Sequence, residues 1–430
     1  MSRLGAPRLA VIAAVFGAAR VAAWAQAPAP EPADAGSAAA GSGSAAGSDD
    51  LSDIQSALAS DAAAQAKQAP APAPSSGGGI QSMNPDISLI ADFALATFSD
   101  PDAAAALQAG DHDPHENGFS LQGLELAASK AVDPYFKFNT YLNFGGEGVE
   151  IEEAYATTLD LPYSLQARAG QFLTRFGRLN PTHPHAWAFS DQPFALSRVF
   201  GGEANRGVGF ELSWLTPLPW YVLVLGSAID PRGDETSRSF LPSDTSLRHA
   251  WNLETVGRIE QFFELSHDTS LLWGLSWAGG PSSLEDGTRS DVFGTDVYLK
   301  YRPITFGSYT IVSLQSEWLY RRREQAAGAA LWDVNGYAEL FWRFARRWGA
   351  GARYEYGSAA RAGTAVMVDP LDPDWVRARH RAALAVTFWP TEYSRLRAQI
   401  QADDPRWSDV LYSAFLTLEL STGVHGAHSF

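Results

Sequence analysis

The chain has 430 residues, a net charge of −16 and no cysteine. The acidic balance argues against a nucleic-acid partner, whose footprint would be basic. The missing thiols exclude disulfide staples, Cys-ligated metal sites and Cys nucleophiles.

The N-terminus reads as a secretory signal over 1–27. Arg3 and Arg8 precede "LAVIAAVFGAA", an apolar run too short to cross a bilayer, and "AQA" at 25–27 offers small residues for cleavage. Residues 28–83 are rich in Ala, Pro, Gly and Ser. Such a composition cannot bury enough surface to fold, so this segment is expected to be a disordered periplasmic linker. Within it, Leu51, Ile54 and Leu58 stand at helical spacing and suggest a short helix over 51–68. No later run reaches 18 apolar residues, so no helical membrane span is expected.

Over 84–430 the texture changes to period-two alternation, the mark of strands with one greasy and one polar face. "YFKFNTYLNF" sets Phe136, Phe138, Leu142 and Phe144 against Lys137, Asn139 and Asn143. "LWDVNGYAELFWRF" sets Trp332, Val334, Leu340 and Trp342 against Asp333, Asn335 and Glu339. "VRARHRAALAVTF", read as a strand over 376–389, sets Val376, Leu384 and Val386 against Arg377, Arg379 and Arg381. In the final run, 409–422, the apolar face holds Tyr412, Leu416, Leu418 and Leu420; Leu411 and Phe415 break the pattern.

About sixteen such runs occur, many of ten residues or more, long for a soluble sandwich and right for tilted membrane strands. Short connections such as "VDP", "DLPY" and "WPT" alternate with long ones at 99–118, 175–206, 230–250, 279–289 and 358–375. The expectation is an all-β transmembrane antiparallel barrel of about 16 strands in the bacterial outer membrane, its partners the outer-membrane lipids and the barrel-assembly machinery. Long loops would face outward and short turns the periplasm. Fourteen Trp suit rings at the membrane–water boundary.

Several stretches resemble a family of barrels labelled zinc-regulated TonB-dependent outer-membrane receptors. They are "NPDISLIADF", "GFSLQGLELAASKAVDPYFKF", "VEIEEAYATTL", "LQARAGQFLTRFGRLNPTHPHAW", "GVGFELSWLTP" and the terminal "GAHSF". The resemblance implies envelope transport tied to zinc supply, and a closing strand whose Phe430 is read as an assembly signal. The chain departs from the TonB-dependent pattern in size. Such receptors carry a plug and a barrel near 22 strands, whereas about fifty low-complexity residues precede the first strand here.

The lumen face carries the unusual charge. Arg353, Arg377, Arg379, Arg381, Arg395 and Arg397 are expected to form an arginine wall. Glu125, Glu150, Glu152, Glu254, Glu260, Asp296 and Glu339 are expected opposite it, with Glu317 and Asp333. Such walls would set a transverse field across an open pore; in the alternative, the charges pair and fill a narrow lumen. Loop 175–206, rich in Pro, Trp and Phe, is expected to fold inward and constrict the barrel. Its "THPHAW" offers His183 and His185, with Asp191, as N and O donors for a transient zinc contact. His112 and His115 lie on another long loop, His425 and His428 near the C-terminus, and these groups are not all expected to meet. No resident cofactor is expected. No G-x-S-x-G or H-E-x-x-H motif occurs, so no enzyme activity is expected. The function read from this is a porin-like channel for small solutes, zinc or a small metal complex among them. The alternative is a plugless receptor or structural barrel with a closed lumen and ligand-binding external loops.

Overall fold

The computed structural model describes residues 85–108, 110–145, 148–231, 236–240, 252–285, 287–305 and 309–423. The signal segment, the linker with its helix and Phe430 lie outside these. Sixteen strands form the barrel wall: β1 Asp86–Phe98, β2 Gly118–Ala131, β3 Phe136–Gly145, β4 Gly148–Thr158, β5 Leu165–Leu173, β6 Arg206–Leu215, β7 Tyr221–Asp230 and β8 Glu254–Ser266. They continue as β9 Thr269–Pro281, β10 Arg289–Tyr301, β11 Ile311–Arg323, β12 Leu331–Ala345, β13 Trp348–Gly357, β14 Arg379–Thr391, β15 Ser394–Asp404 and β16 Leu411–Gly423. A two-residue hairpin, Arg361–Ala362 with Ala365–Val366, decorates the β13–β14 loop. Each wall strand pairs antiparallel with the next, and β1 pairs with β16 from Ser88 opposite Gly423 to Phe98 opposite Ser413. The sheet thus closes on itself, which satisfies strand backbone groups that lipid could not.

The pleat decides which side chains meet lipid. On β16, Tyr412, Leu416 and Leu420 are 61, 47 and 44% exposed, whereas Ser413, Thr417 and Glu419 are 6, 5 and 7% exposed. An apolar exterior around a polar interior is an inside-out protein, as the alternation requires. The two exceptions have a physical reason. Leu411 and Phe415 point inward, where they pack with Ala96, Phe98, Ala104 and Leu107. The last two belong to α1, Pro101–Leu107, a helix of the β1–β2 loop that Asp100 caps by accepting from Asp102 N and Ala103 N, each at 3.1 Å.

Two β-bulges interrupt the alternation near one another. In β2, Gln122 is left over between the pairs Asp92–Gly123 and Phe93–Leu121. In β4, Glu152 is left over between Tyr141–Glu153 and Leu142–Ile151. An extra residue shifts the facing of everything beyond it. Glu152 and Glu153, neighbours in sequence, therefore both turn into the lumen and both are buried.

Candidate functional site

The β5–β6 connection, residues 174–205 and here called L3, folds into the lumen. It leaves β5 through Gly177, at φ 62°, where an added Cβ would sit 2.2 Å from Glu317 Oε2. Only glycine allows both the left-handed backbone and the close approach. Side chains of the wall then capture its backbone: Gly177 N donates to Ser276 Oγ at 3.0 Å, and Leu179 N to Glu317 Oε1 at 2.7 Å. Asn180 and Asn205 tie the base of the loop together, and Asn205 Nδ2 donates to Glu254 Oε1 at 2.7 Å.

The heart of L3 is α2, Phe194–Phe200, in which every residue is buried. Leu196, Val199 and Phe200 join Phe176 and Leu179 against Val256, Ala278, Val292, Leu319 and Tyr337 of the wall. Burying four large side chains of α2 is worth about 6–12 kcal/mol. Ordering seven backbone residues costs about 7–14 kcal/mol. The two nearly cancel, so polar anchors decide where the helix sits. Phe194 N donates to Glu355 Oε2 at 2.7 Å. Arg198 donates to Asn335 Oδ1 at 2.9 Å and lies 3.7 Å from the Trp375 ring centroid.

The expected arginine wall is present, but it is packed rather than wet. Arg353, Arg379, Arg381 and Arg397 are only 1–3% exposed. Asp191 of L3 receives Arg353 Nη2 at 2.7 Å and Arg381 Nη1 at 3.1 Å. Arg379 and Arg381 both reach Asp403, each through Nε at 2.9 Å, and Arg353 Nε lies 2.9 Å from Glu355 Oε1. Arg397 donates to the carbonyls of Trp187 and Phe189. Arg395 binds Glu419 and the His185 carbonyl. Next to this network, Arg321 and Arg323 share Asp333 and Asp369. The reading of these arginines as lining an open pore is therefore corrected: L3 and the carboxylates neutralise and cover them.

Arg377 is corrected for a different reason. The strand begins at Arg379, so Arg377 stays in the preceding loop, exposed, with Nη1 donating to the Arg406 carbonyl at 3.4 Å. Among the acids, Glu254 anchors L3, Asp296 and Glu260 pair with Arg258, and Glu339 is buried. They do not form a solvent-lined acidic wall either.

The remaining acids gather on the β2–β4 side, and there the histidines meet them. His183 Nδ1 lies 3.1 Å from Glu152 Oε2 and 3.3 Å from Glu125 Oε2, and His183 Nε2 lies 3.2 Å from Glu153 Oε2. His185 Nδ1 lies 3.3 Å from Glu125 Oε2. From the β1–β2 loop, His112 Nε2 lies 3.4 Å from Glu152 Oε1 and 3.5 Å from Glu203 Oε1. Pro184 keeps His183 extended at ψ 151°, so the rings of His183 and His185 stack with centroids 5.7 Å apart. Glu150, at the rim with its side chain 43% exposed, pairs with Arg206. Histidines from two loops thus share one acidic cluster, but Asp191 does not join them. Its place between Arg353 and Arg381 removes it from the expected metal set.

The charges act on one another. Burial opposes a proton on His112, but the hydrogen bond and charge of Glu203, then Glu152, outweigh it and lift the imidazole to about 9. Burial opposes charge on His183 too, and Glu125, Glu152 and Glu153 hold it well above the ordinary histidine value. Burial pushes Asp191 up, but Arg353 and Arg381 bring it below the usual carboxylate range. Asp113, which accepts from Gln192 N at 2.7 Å, is pushed well up by burial and by the charge of Asp191.

Alternation does not single out Glu153, Glu203, Arg206 and Asp403. Glu153 had a readable signal: a Glu–Glu doublet in a lipid-facing strand leaves one carboxylate in lipid unless a bulge turns it inward. Glu203 and Arg206 lie at the end of L3, where no periodicity applies.

No protein-family model matches the sequence. An uncharacterized protein of Aquifex aeolicus (strain VF5) is 30% identical over 392 residues, covering 80% of each chain. The two chains belong to one family. Among solved structures, the outer membrane channel DcaP of Acinetobacter baumannii is similar with a TM-score of 0.53 and 12% identity, over 79% of this chain and 97% of that one. The anion-selective porin from Comamonas acidovorans gives 0.50 and 10%, over 79% and 99%. In-vitro folded OmpT, an outer membrane protein of Vibrio cholerae, gives 0.50 and 8%, over 79% and 97%. These likenesses show the fold: a closed 16-strand antiparallel barrel of the porin kind. The chain is a β-barrel of the bacterial outer membrane. Nothing among the comparisons supports the zinc-regulated, TonB-dependent label.

Proposed function

We propose that the chain is a porin-like channel for small solutes, metal cations or small metal complexes among them, whose path follows the acidic side of the lumen. One observation carries this reading. L3 covers the arginines of β13–β15, and a small recess of about 40 Å³ remains beside them on the β1–β4 side, lined by Asp92, His112, Glu125, Asn143, Glu152 and His185. Its carboxylates outnumber its histidines, and a net acidic, low-dielectric wall raises the local concentration of cations. The matched channels and porins support this use of the fold; one of them is named as anion-selective, so the cation preference proposed here rests on this chain's own acids.

Single-channel recording of the refolded full chain tests the reading. Discrete conductance steps with a cation-favouring reversal potential in a salt gradient are expected. Glu150→Gln should move that potential toward anions, less at high salt, where the Debye length shortens. Arg377→Gln, in the exposed loop, should leave it unchanged. The apolar cluster between α2 and the wall favours a second reading, a closed barrel whose loops bind a ligand. Folded protein without conductance would select it.

A further inference from the structure

We propose that the acidic cluster is a divalent transition-metal site with two seats that share Glu152. The first seat is framed by Glu125, Glu152 and His183, each offering one donor atom within 4.8 Å of the other two. A tetrahedral ion with bonds of about 2.0–2.1 Å sets its ligand atoms about 3.3 Å apart. His183 Nδ1 stands 3.3 and 3.1 Å from the two carboxylate oxygens, as such an ion needs. The second seat is framed by His112, Glu152 and Glu203, one donor atom of each within 4.8 Å of the others; here His112 Nε2 faces Glu152 Oε1, the other oxygen of the shared carboxylate.

Three further observations point to a ligand rather than to carboxylates that pair only with their neighbours. His183 Nδ1 is buried and close to two carboxylates yet makes a directed hydrogen bond to neither. Its other ring nitrogen is held by Glu153. A carboxylate on the far side of an imidazole is the arrangement that orients a metal-ligating histidine. Glu125 and Asn143, 8 and 9% exposed, each leave one buried oxygen without a partner, and both line the recess. Mixed imidazole and carboxylate donors suit a first-row cation such as zinc or cobalt. With three protein donors per seat, a fourth position stays open, so the ion should exchange rather than be locked in. The bulge in β4 makes this possible, because it supplies Glu152 as the shared ligand and Glu153 as the support.

The inference deepens the channel reading by naming a ligand class, and rests on it only for the route by which the ion arrives. The test is therefore binding at equilibrium, without conductance. The full-length barrel, refolded in detergent and cleared with chelator, is titrated with zinc chloride by calorimetry. Two ions per barrel are expected. His183→Ala should remove one, His112→Ala the other, and Glu152→Gln should weaken both about tenfold or more. His380→Ala, beside Tyr354 on the outer face, should change neither. Cobalt(II) added to the unaltered protein gives a second readout that needs no variant to fold: visible bands of nitrogen and oxygen ligation. Absence of zinc and cobalt binding, or binding untouched by Glu152→Gln in a folded barrel, overturns the proposal. Conductance without metal binding would sink the site and leave the channel reading standing.

Discussion

Asp191 is the keystone of L3, and Asp191→Ala should release the loop from the lumen. The network around it holds three guanidiniums, Arg353, Arg379 and Arg381, against three carboxylates, Asp191, Glu355 and Asp403. Removing Asp191 leaves one buried positive charge uncompensated and strips Gln399 Nε2 of its 2.6 Å acceptor. Breaking a buried pair from one side costs roughly 3–5 kcal/mol. Burial and the charge of Asp191 push Asp113 well up from the usual carboxylate range. Once Asp191 is gone, Asp113 can take over some of the charge, so the single variant should fall at the lower end and Asp113→Asn with Asp191→Ala at the upper. About 3 kcal/mol is roughly a hundredfold in the ratio of seated to released loop. The chain has no cysteine, so Ser197→Cys in buried α2 gives a clean reporter. Its labelling by a membrane-impermeant thiol reagent should accelerate about a hundredfold in the Asp191→Ala background. Heat-modifiable gel mobility would show that the barrel stays folded. A labelling rate within twofold of the parent, in a folded barrel, would refute the claim that Asp191 seats the loop.

The same reporter gives a pH prediction. Asp191 has a depressed value in the folded state, so its contribution is present above the unfolded carboxylate value near about 4 and is lost as pH falls through the folded one. Ser197→Cys labelling, normalised at each pH to that of a small free thiol because only the thiolate reacts, should stay flat from neutral pH down to about 5 and rise only below about 4; a rise beginning near 6 would assign the seat to another group. Gly177→Ala adds a left-handed backbone penalty to a clash with Glu317, and should raise labelling at least about tenfold at unchanged barrel assembly. On the lipid face, Leu416→Arg should cut insertion, since a midplane arginine costs about 2–4 kcal/mol. Glu419→Gln, on the lumen side of the same strand, should assemble like the parent because Arg395 keeps its carbonyl partners. Equal heat-modifiable yields for these two would overturn the assigned facing.

The sequence determined the wall. Alternation is local, because a pleated strand turns successive side chains to opposite faces whatever it pairs with. Tyr412 and Leu416 against Ser413 and Thr417 could therefore be read without knowing their neighbours, and loop lengths then ordered the strands into an up-and-down barrel. The inward fold of 175–206 was legible too, from length and composition. What the charges do was not. Arg353 and Arg381 look alike as pore-lining or as packed residues until Asp191, some 160 and 190 residues earlier in the chain, arrives between them on a folded loop. Arg377 fell outside because a strand end depends on pairing rather than on pattern. The histidine cluster needed three separate events: a bulge in β4 that reverses the facing of Glu153, the capture of L3 by the wall, and the inward turn of the β1–β2 loop that carries His112. Each is a long-range contact, and only tertiary structure decides whether side chains far apart in sequence share one small volume.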